Sequence, residues 1–162
     1  MNNSTPNCIH NEKTRKWDQR FIELCDHLAS WSEDPSRKVG AVIVGDGNSI
    51  ISTGYNGLPR GVSTNLEERF DRTDGHKYHW VEHAERNAIF NASRNGITTK
   101  QSKIYCSLFP CSDCARAIIQ SGISELITRE PPSNEVRFAK SMSISMEMLE
   151  ESGVIVRLLA KA

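Results

Sequence analysis

The chain has 162 residues, 38% hydrophobic and 25% charged, with twenty Lys and Arg against twenty Asp and Glu and a formal net charge of zero. That length fits one domain able to bury about two-thirds of its extended surface, and the apolar share excludes a disordered chain. The charge balance argues against coating a nucleic acid, which calls for a basic excess, but leaves room for a local basic pocket.

The longest apolar run, Val39 to Val44, is far short of the roughly 18 residues a membrane-spanning helix needs. The polar opening Met1-Asn2-Asn3-Ser4-Thr5-Pro6 lacks the basic and apolar stretches of a secretory leader. The odd set of five cysteines (Cys8, Cys25, Cys106, Cys111 and Cys114) favours reduced thiols and metal ligation over a disulfide framework. A cytoplasmic enzyme, with no membrane or nucleic-acid partner, is the expectation.

Residues 1–15 are polar and read as a flexible arm ahead of a single domain over 16–162. Trp17, Phe21, Leu24, Leu28 and Trp31 recur at spacings of four and three, which lays one apolar stripe along a helix. Asp34-Pro35 stops it, because the residue before proline avoids the helical region. Lys38 to Val44 predicts a strand, Gly45-Asp46-Gly47-Asn48 a hairpin turn, and Ser49 to Thr53 the returning strand. Gly54 to His79 is irregular, with a short helix expected around Asn65 to Phe70; a loop of that length in a compact domain tends to be functional.

Trp80 to Ser93 predicts a helix, ended by Asn95-Gly96. Strands follow over Lys103 to Leu108, Glu125 to Thr128 and Val154 to Leu159, and helices over Cys111 to Gln120 and Glu135 to Glu151. Helix–strand alternation after residue 80 implies parallel pairing, while the first two strands form an antiparallel hairpin. The expected fold class is therefore α/β, a mixed five-stranded sheet with helices on both faces in three layers.

Two short stretches at helix starts carry chemistry. His83-Ala84-Glu85 places an imidazole and a carboxylate that would point about 200° apart in mid-helix, but can flank a ligand lying beyond the first turn. Pro110-Cys111-Ser112-Asp113-Cys114 places two thiols three positions apart on one face, where helical N–H dipoles favour thiolates. One imidazole and two thiolates make three ligands. A structural zinc site closes with four, whereas a catalytic one keeps a position open for water. Glu85 beside that opening suits proton transfer in a hydrolytic reaction. H-x-E followed by P-C-x-x-C is the known signature of zinc nucleobase deaminases.

The runs Asp34-Pro35-Ser36-Arg37-Lys38-Val39-Gly40-Ala41-Val42-Ile43-Val44, Gly54-Tyr55-Asn56-Gly57-Leu58-Pro59-Arg60-Gly61, His83-Ala84-Glu85-Arg86-Asn87-Ala88-Ile89 and Pro110-Cys111-Ser112-Asp113-Cys114-Ala115 resemble the deoxycytidylate (dCMP) deaminases of the cytidine deaminase superfamily. The likeness spans about residues 17 to 159. The zinc motifs specify the superfamily; the G-Y-N-G-x-P-x-G run and Asn87 narrow it to dCMP deaminases. One departure is the last helix, Val136 to Glu150, which has no tryptophan and is rich in Ser and Met.

The resemblance implies the cytidine deaminase-like α/β/α fold, with His83, Cys111 and Cys114 as zinc ligands and Glu85 as proton shuttle. It matches the N–H of Ala84 and the side chain of Asn56 to groups that hold the pyrimidine and its sugar. The carbonyl of Ser107 would accept from the leaving amine and Phe109 would pack on the base. Ser36, Arg37 and Lys38 are candidates for the 5′-phosphate. By resemblance, Tyr55, Asn56, Gly57 and Gly61 belong to a segment joining nucleotide sites in a homohexamer activated by dCTP and inhibited by dTTP, with Mg2+ accompanying the effector.

The implied reaction attacks C4 of cytosine with zinc-activated water, while Glu85 protonates N3 and then the departing amine, giving dUMP for thymidylate synthesis. A deaminase of both dCMP and dCTP, another superfamily deaminase and a silent zinc-stabilised binding module are the rival readings. Cys8 and His10 with Cys25 and His27, or His76 with His79, are candidates for a second metal site.

Overall fold

The structure is a computed structural model describing residues 12–63, 67–131 and 135–160. Helix α1 (Glu12–Ala29) precedes the antiparallel strands β1 (Gly40–Val44) and β2 (Ile50–Tyr55), joined by a 3-10 turn at Asp46–Asn48. After the long connection come α2 (Lys77–Trp80), α3 (Ala84–Arg94) and β3 (Lys103–Cys106). The chain continues through α4 (Ser112–Gln120), β4 (Glu125–Arg129), α5 (Ala139–Glu151) and β5 (Ile155–Leu159). The five-stranded sheet runs β2-β1-β3-β4-β5; β1 is antiparallel to both neighbours, and β3, β4 and β5 run parallel. This is the expected mixed α/β fold.

Five local expectations change. Residues 12–15, read as part of the arm, belong to α1; residues 1–11 lie outside the described part. Trp31 lies past the end of α1, 54% exposed and edge-on to Tyr55 at 6.0 Å, while Ile22 and Cys25 join the core. The helix expected from Trp80 is two helices, because Val81 and His83 are extended between them. The last helix starts at Ala139, since the Glu135 carboxylate accepts the N–H of Phe138 and holds the chain in a turn there. The short helix expected around Asn65 is a 3-10 turn over Glu67–Phe70, with residues 64–66 outside the described part.

Alternation along the strands divides the core. Val42, Val44, Tyr105 and Ile127 face α1 and pack on Phe21, Ile22, Cys25 and Leu28. Ala41, Ile43, Ile104 and Leu126 face the other way, against Ala88 of α3, Ile118 of α4 and Leu149 of α5. Two glycines let the helices close. A Cβ on Gly40 would lie 2.0 Å from the Cys25 carbonyl oxygen, and one on Gly54 2.3 Å from that of Ala84. Only glycine fits such approaches, and the second seats the start of α3 directly on β2.

Candidate active site

The two chemical motifs meet because both sit at helix starts on the same sheet face. His83 (φ −83°, ψ 154°) and Cys111 (φ −75°, ψ 171°) are extended N-cap residues of α3 and α4, and Cys114 lies in the first turn of α4. His83 Nδ1 stands 3.3 Å from the Sγ of Cys111 and 3.3 Å from that of Cys114. The three ligand atoms lie within 4.8 Å of one another. Ligands of a tetrahedral zinc stand about 3.5–3.8 Å apart, so these three can share one ion and leave a position open. Two sulfurs and an imidazole nitrogen suit zinc.

The protons are already disposed for a cation. A hydrogen bond from Cys114 draws Cys111 down to about 4 despite its burial, and the same bond, with burial, pushes Cys114 up. Hydrogen bonding to Cys111 raises His83 to about 9 against burial. An arriving ion would displace the protons of Cys114 and His83. Glu85, 4% exposed, is pushed above the usual carboxylate range by burial, with His83 opposing. A carboxyl so raised holds and releases a proton nearer neutral pH.

One cleft connects this centre to a cluster of charges. His83, Ala84, Glu85 and Cys111 line it, with Val39, Leu108, Phe109 and Met142 as apolar wall. Asp34, Arg37, Arg72 and Lys77 line it as well, with Tyr78 and Phe138. Lys77 pairs with Asp34 and donates to Ser36 Oγ at 2.9 Å. Asp34, fully buried, accepts from the N–H and hydroxyl of Ser36 and the N–H of Arg37. Arg37 Nη2 pairs with Glu135 at 2.8 Å, and its guanidinium lies 5.5 Å over the Phe138 ring. Arg37 Nη1 and Arg72 Nε are buried with no hydrogen-bond partner among the described residues. Buried guanidinium nitrogens are normally satisfied, so the pair marks a place for an anion.

The remaining sequence candidates divide. Phe109 and Asn56 line the cleft, but the Asn56 amide is engaged: Oδ1 accepts from Val39 N at 2.7 Å, and Nδ2 donates to Asp34 Oδ2 and the Arg37 carbonyl. Ser107 is absent from the lining; its carbonyl accepts from Arg129 Nη1 at 3.2 Å and its hydroxyl from Gly40 N–H. Lys38 is exposed and is not among the residues lining the cleft, unlike Arg37 beside it. Ser36 is reached through Lys77. Gly57 exchanges both backbone hydrogen bonds with Glu82, whose carboxylate accepts the His83 N–H, so the G-Y-N-G run braces the metal centre. Tyr55 and Gly61 are exposed.

Sequence reasoning missed Arg72, Lys77, Tyr78 and Phe138. Arg72 lies in the irregular connection, Lys77 and Tyr78 in a one-turn helix and Phe138 at the N-cap of α5, positions where no periodicity indicates which side chains turn inward. The second metal reading gains no group of ligands: among the described residues only His83, Cys111 and Cys114 converge. Cys25 Sγ donates to the Tyr105 carbonyl and His76 accepts from Trp80 Nε1, while Cys8 and His10 lie outside the described residues.

Fold and site together define a zinc-binding deaminase domain. Residues 15–130 match the cytidine and deoxycytidylate deaminase zinc-binding region, and the chain belongs to that family. It is 40% identical over 127 residues to the deoxycytidylate deaminase of Mus musculus, covering 74% of this chain and 68% of that one. An uncharacterized deaminase of Aliivibrio fischeri is 38% identical over 144 residues, covering 87% and 92%. A cyanophage S-TIM5 dCMP deaminase, solved with dCMP and dUMP, superposes with a TM-score of 0.71 at 25% identity, covering 89% and 97%.

Proposed function

We propose that this chain deaminates dCMP to dUMP, releasing ammonia. The observation that carries the monophosphate is the two unpartnered guanidinium nitrogens, Arg37 Nη1 and Arg72 Nε, in the same cleft as His83, Cys111 and Cys114. A nucleoside or free base would leave them unsatisfied. The likeness to deoxycytidylate deaminases supports the cytosine end.

His83, Cys111 and Cys114 hold one zinc per chain, which when bound activates water for attack at C4 of the base. Glu85 carries the proton to N3 and then to the departing amine, and its buried position shields that transfer from bulk water. Phe109 and Val39 pack on the base, the Ala84 N–H at the start of α3, which has no intrahelical partner, serves as a donor to it, and Asn56 fixes the loop that carries Arg37. Ser36 and Lys77 complete the phosphate end.

The regulatory reading is part of the proposal: a homohexamer in the cytoplasm, activated by dCTP and inhibited by dTTP with Mg2+. The exposed Trp31–Tyr55 contact on the G-Y-N-G run supports association there. No helix among the described residues is long and apolar enough to cross a membrane.

The test is ammonia release by the zinc-loaded chain from dCMP, deoxycytidine and cytosine. We expect dCMP to be preferred, and Glu85→Gln to keep zinc while losing about 10²–10⁴-fold in turnover. Equal efficiency on all three, or full activity in that variant, would overturn the reading.

A further inference from the structure

We infer that Glu135 is a specificity residue limiting this cleft to a single phosphate; the inference rests on the dCMP reading and deepens it. Glu135 precedes α5, and its side chain is only 6% exposed. Both carboxylate oxygens are engaged, Oε1 accepting the N–H of Phe138 at 3.0 Å and Oε2 pairing with Arg37 Nη2 at 2.8 Å. The carboxylate is thus fixed.

It is fixed on the guanidinium that also offers the buried, unpartnered Nη1. A guanidinium is a rigid plane whose nitrogens diverge from one carbon. An anion on Nη1 therefore has the Glu135 carboxylate on the adjoining edge of the same group. A monophosphate there shares Arg37 with Glu135 and draws on the free Arg72 Nε, with Lys77 nearby on Asp34.

A second phosphate adds negative charge within reach of a carboxylate that cannot turn away. The cations lining the cleft are Arg37, Arg72 and Lys77, of which Lys77 is already paired with a buried carboxylate. Arg137 is held against Tyr78, its Nη1 donating to the hydroxyl at 2.8 Å. Selectivity built on a misplaced like charge rejects the longer ligand without tightening the shorter one.

The substitution Glu135→Gln isolates the charge, because a glutamine carbonyl still accepts the Phe138 N–H. The experiment measures kcat/KM for dCMP, dCDP and deoxycytidine with zinc-loaded wild type and Glu135→Gln, identifying dUMP and dUDP chromatographically. We expect wild type to prefer dCMP over dCDP by at least about tenfold, and the variant to raise the dCDP-to-dCMP ratio by at least about tenfold. Glu135→Asp, which keeps the charge, should stay nearer wild type in that ratio. A merely structural role would lower all three substrates together. An unchanged ratio in Glu135→Gln overturns the inference while dCMP deamination stands. Wild-type efficiency on dCDP within about threefold of dCMP overturns it without any variant. No ammonia from dCMP would overturn the functional reading and this inference with it.

Discussion

Two charged clusters flank this sheet, and they differ in how completely they satisfy themselves. Beneath α1, Arg157 of β5 pairs with Asp18 and Glu125, the Tyr105 hydroxyl donates to Asp18, and Lys103 joins Glu125. Asp18 is 3% exposed, and every charged group of that cluster faces an opposite one. In the cleft, Lys77 and Asp34 close on each other, but Arg37 Nη1 and Arg72 Nε stay buried without partners among the described residues. Both clusters use the same residue types. One finishes the fold; the other, on the proposed reading, keeps donors in reserve for the phosphate of a substrate. Buried polar groups left unpaired are expensive, and in the cleft that cost becomes affinity when an anion arrives.

The sharpest way to break this comparison is to remove one arginine from each cluster and measure both stability and selectivity. Arg157→Met leaves the buried Asp18 without its cation, while Glu125 keeps Lys103, and should cost about 3–5 kcal/mol in denaturant unfolding. The preference for dCMP over deoxycytidine should not move. If Arg157→Met melts with the wild type, the α1 cluster is not holding the fold.

Arg72→Ala should invert the pattern. Losing charge-assisted bonds to a phosphate is worth about 1.5–3 kcal/mol, so kcat/KM for dCMP should fall roughly 10–100-fold while deoxycytidine changes little. Its stability should stay within about 0.5 kcal/mol of wild type, because its buried nitrogen has no partner to lose. A loss shared equally by nucleotide and nucleoside would show that Arg72 shapes the cleft and does not read phosphate.

The difference between the clusters also explains what could be read from the sequence. His83, Glu85, Cys111 and Cys114 were legible because fixed spacing at a helix start determines where a side chain points, whatever surrounds it. The strands were legible from β-branched alternation, and the turn at Asp46–Asn48 from its glycine and asparagine. Arg72 and Lys77 were not, since they lie between Gly54 and His79, where backbone direction depends on contacts distant in sequence. Lys77 in particular is buried only because Asp34, 43 positions earlier, awaits it. The break between α2 and α3 was hidden for the same reason: the Gly57–Glu82 bridge that straightens Val81–His83 is a tertiary contact.

A smaller effect separates the clusters by acid. Burial alone would raise Asp34, but Lys77 and the donors of Ser36 and Arg37 outweigh it and hold its pKa below the ordinary aspartate value. A group depressed in the folded state contributes stability above its unfolded pKa and loses it as pH falls through the folded one. The contribution of Asp34 should therefore be intact from about pH 5 upward and drain away below about pH 4. Asp34→Asn should flatten that acid limb of the stability curve. An identical acid limb in wild type and variant would place the sensitive carboxylate elsewhere.

The smallest effect is expected at Lys38, next to the arginine on which the proposed phosphate site depends. Successive side chains of an extended segment point to opposite sides, so Arg37 and Val39 turn into the cleft while Lys38 is left exposed. An exposed ammonium acts on a bound phosphate only through water and salt, and such interactions are largely screened beyond about 8 Å at physiological ionic strength. Lys38→Ala should thus change kcat/KM for dCMP by less than about twofold and stability by less than about 0.5 kcal/mol. Measuring it beside Arg72→Ala at low and at physiological salt separates the two roles. Residual Lys38 dependence should vanish as salt rises, whereas the Arg72 effect should persist because its nitrogen is shielded from solvent. A salt-resistant loss in Lys38→Ala would mean that the segment from Ser36 to Lys38 turns on binding, and would return Lys38 to the phosphate site.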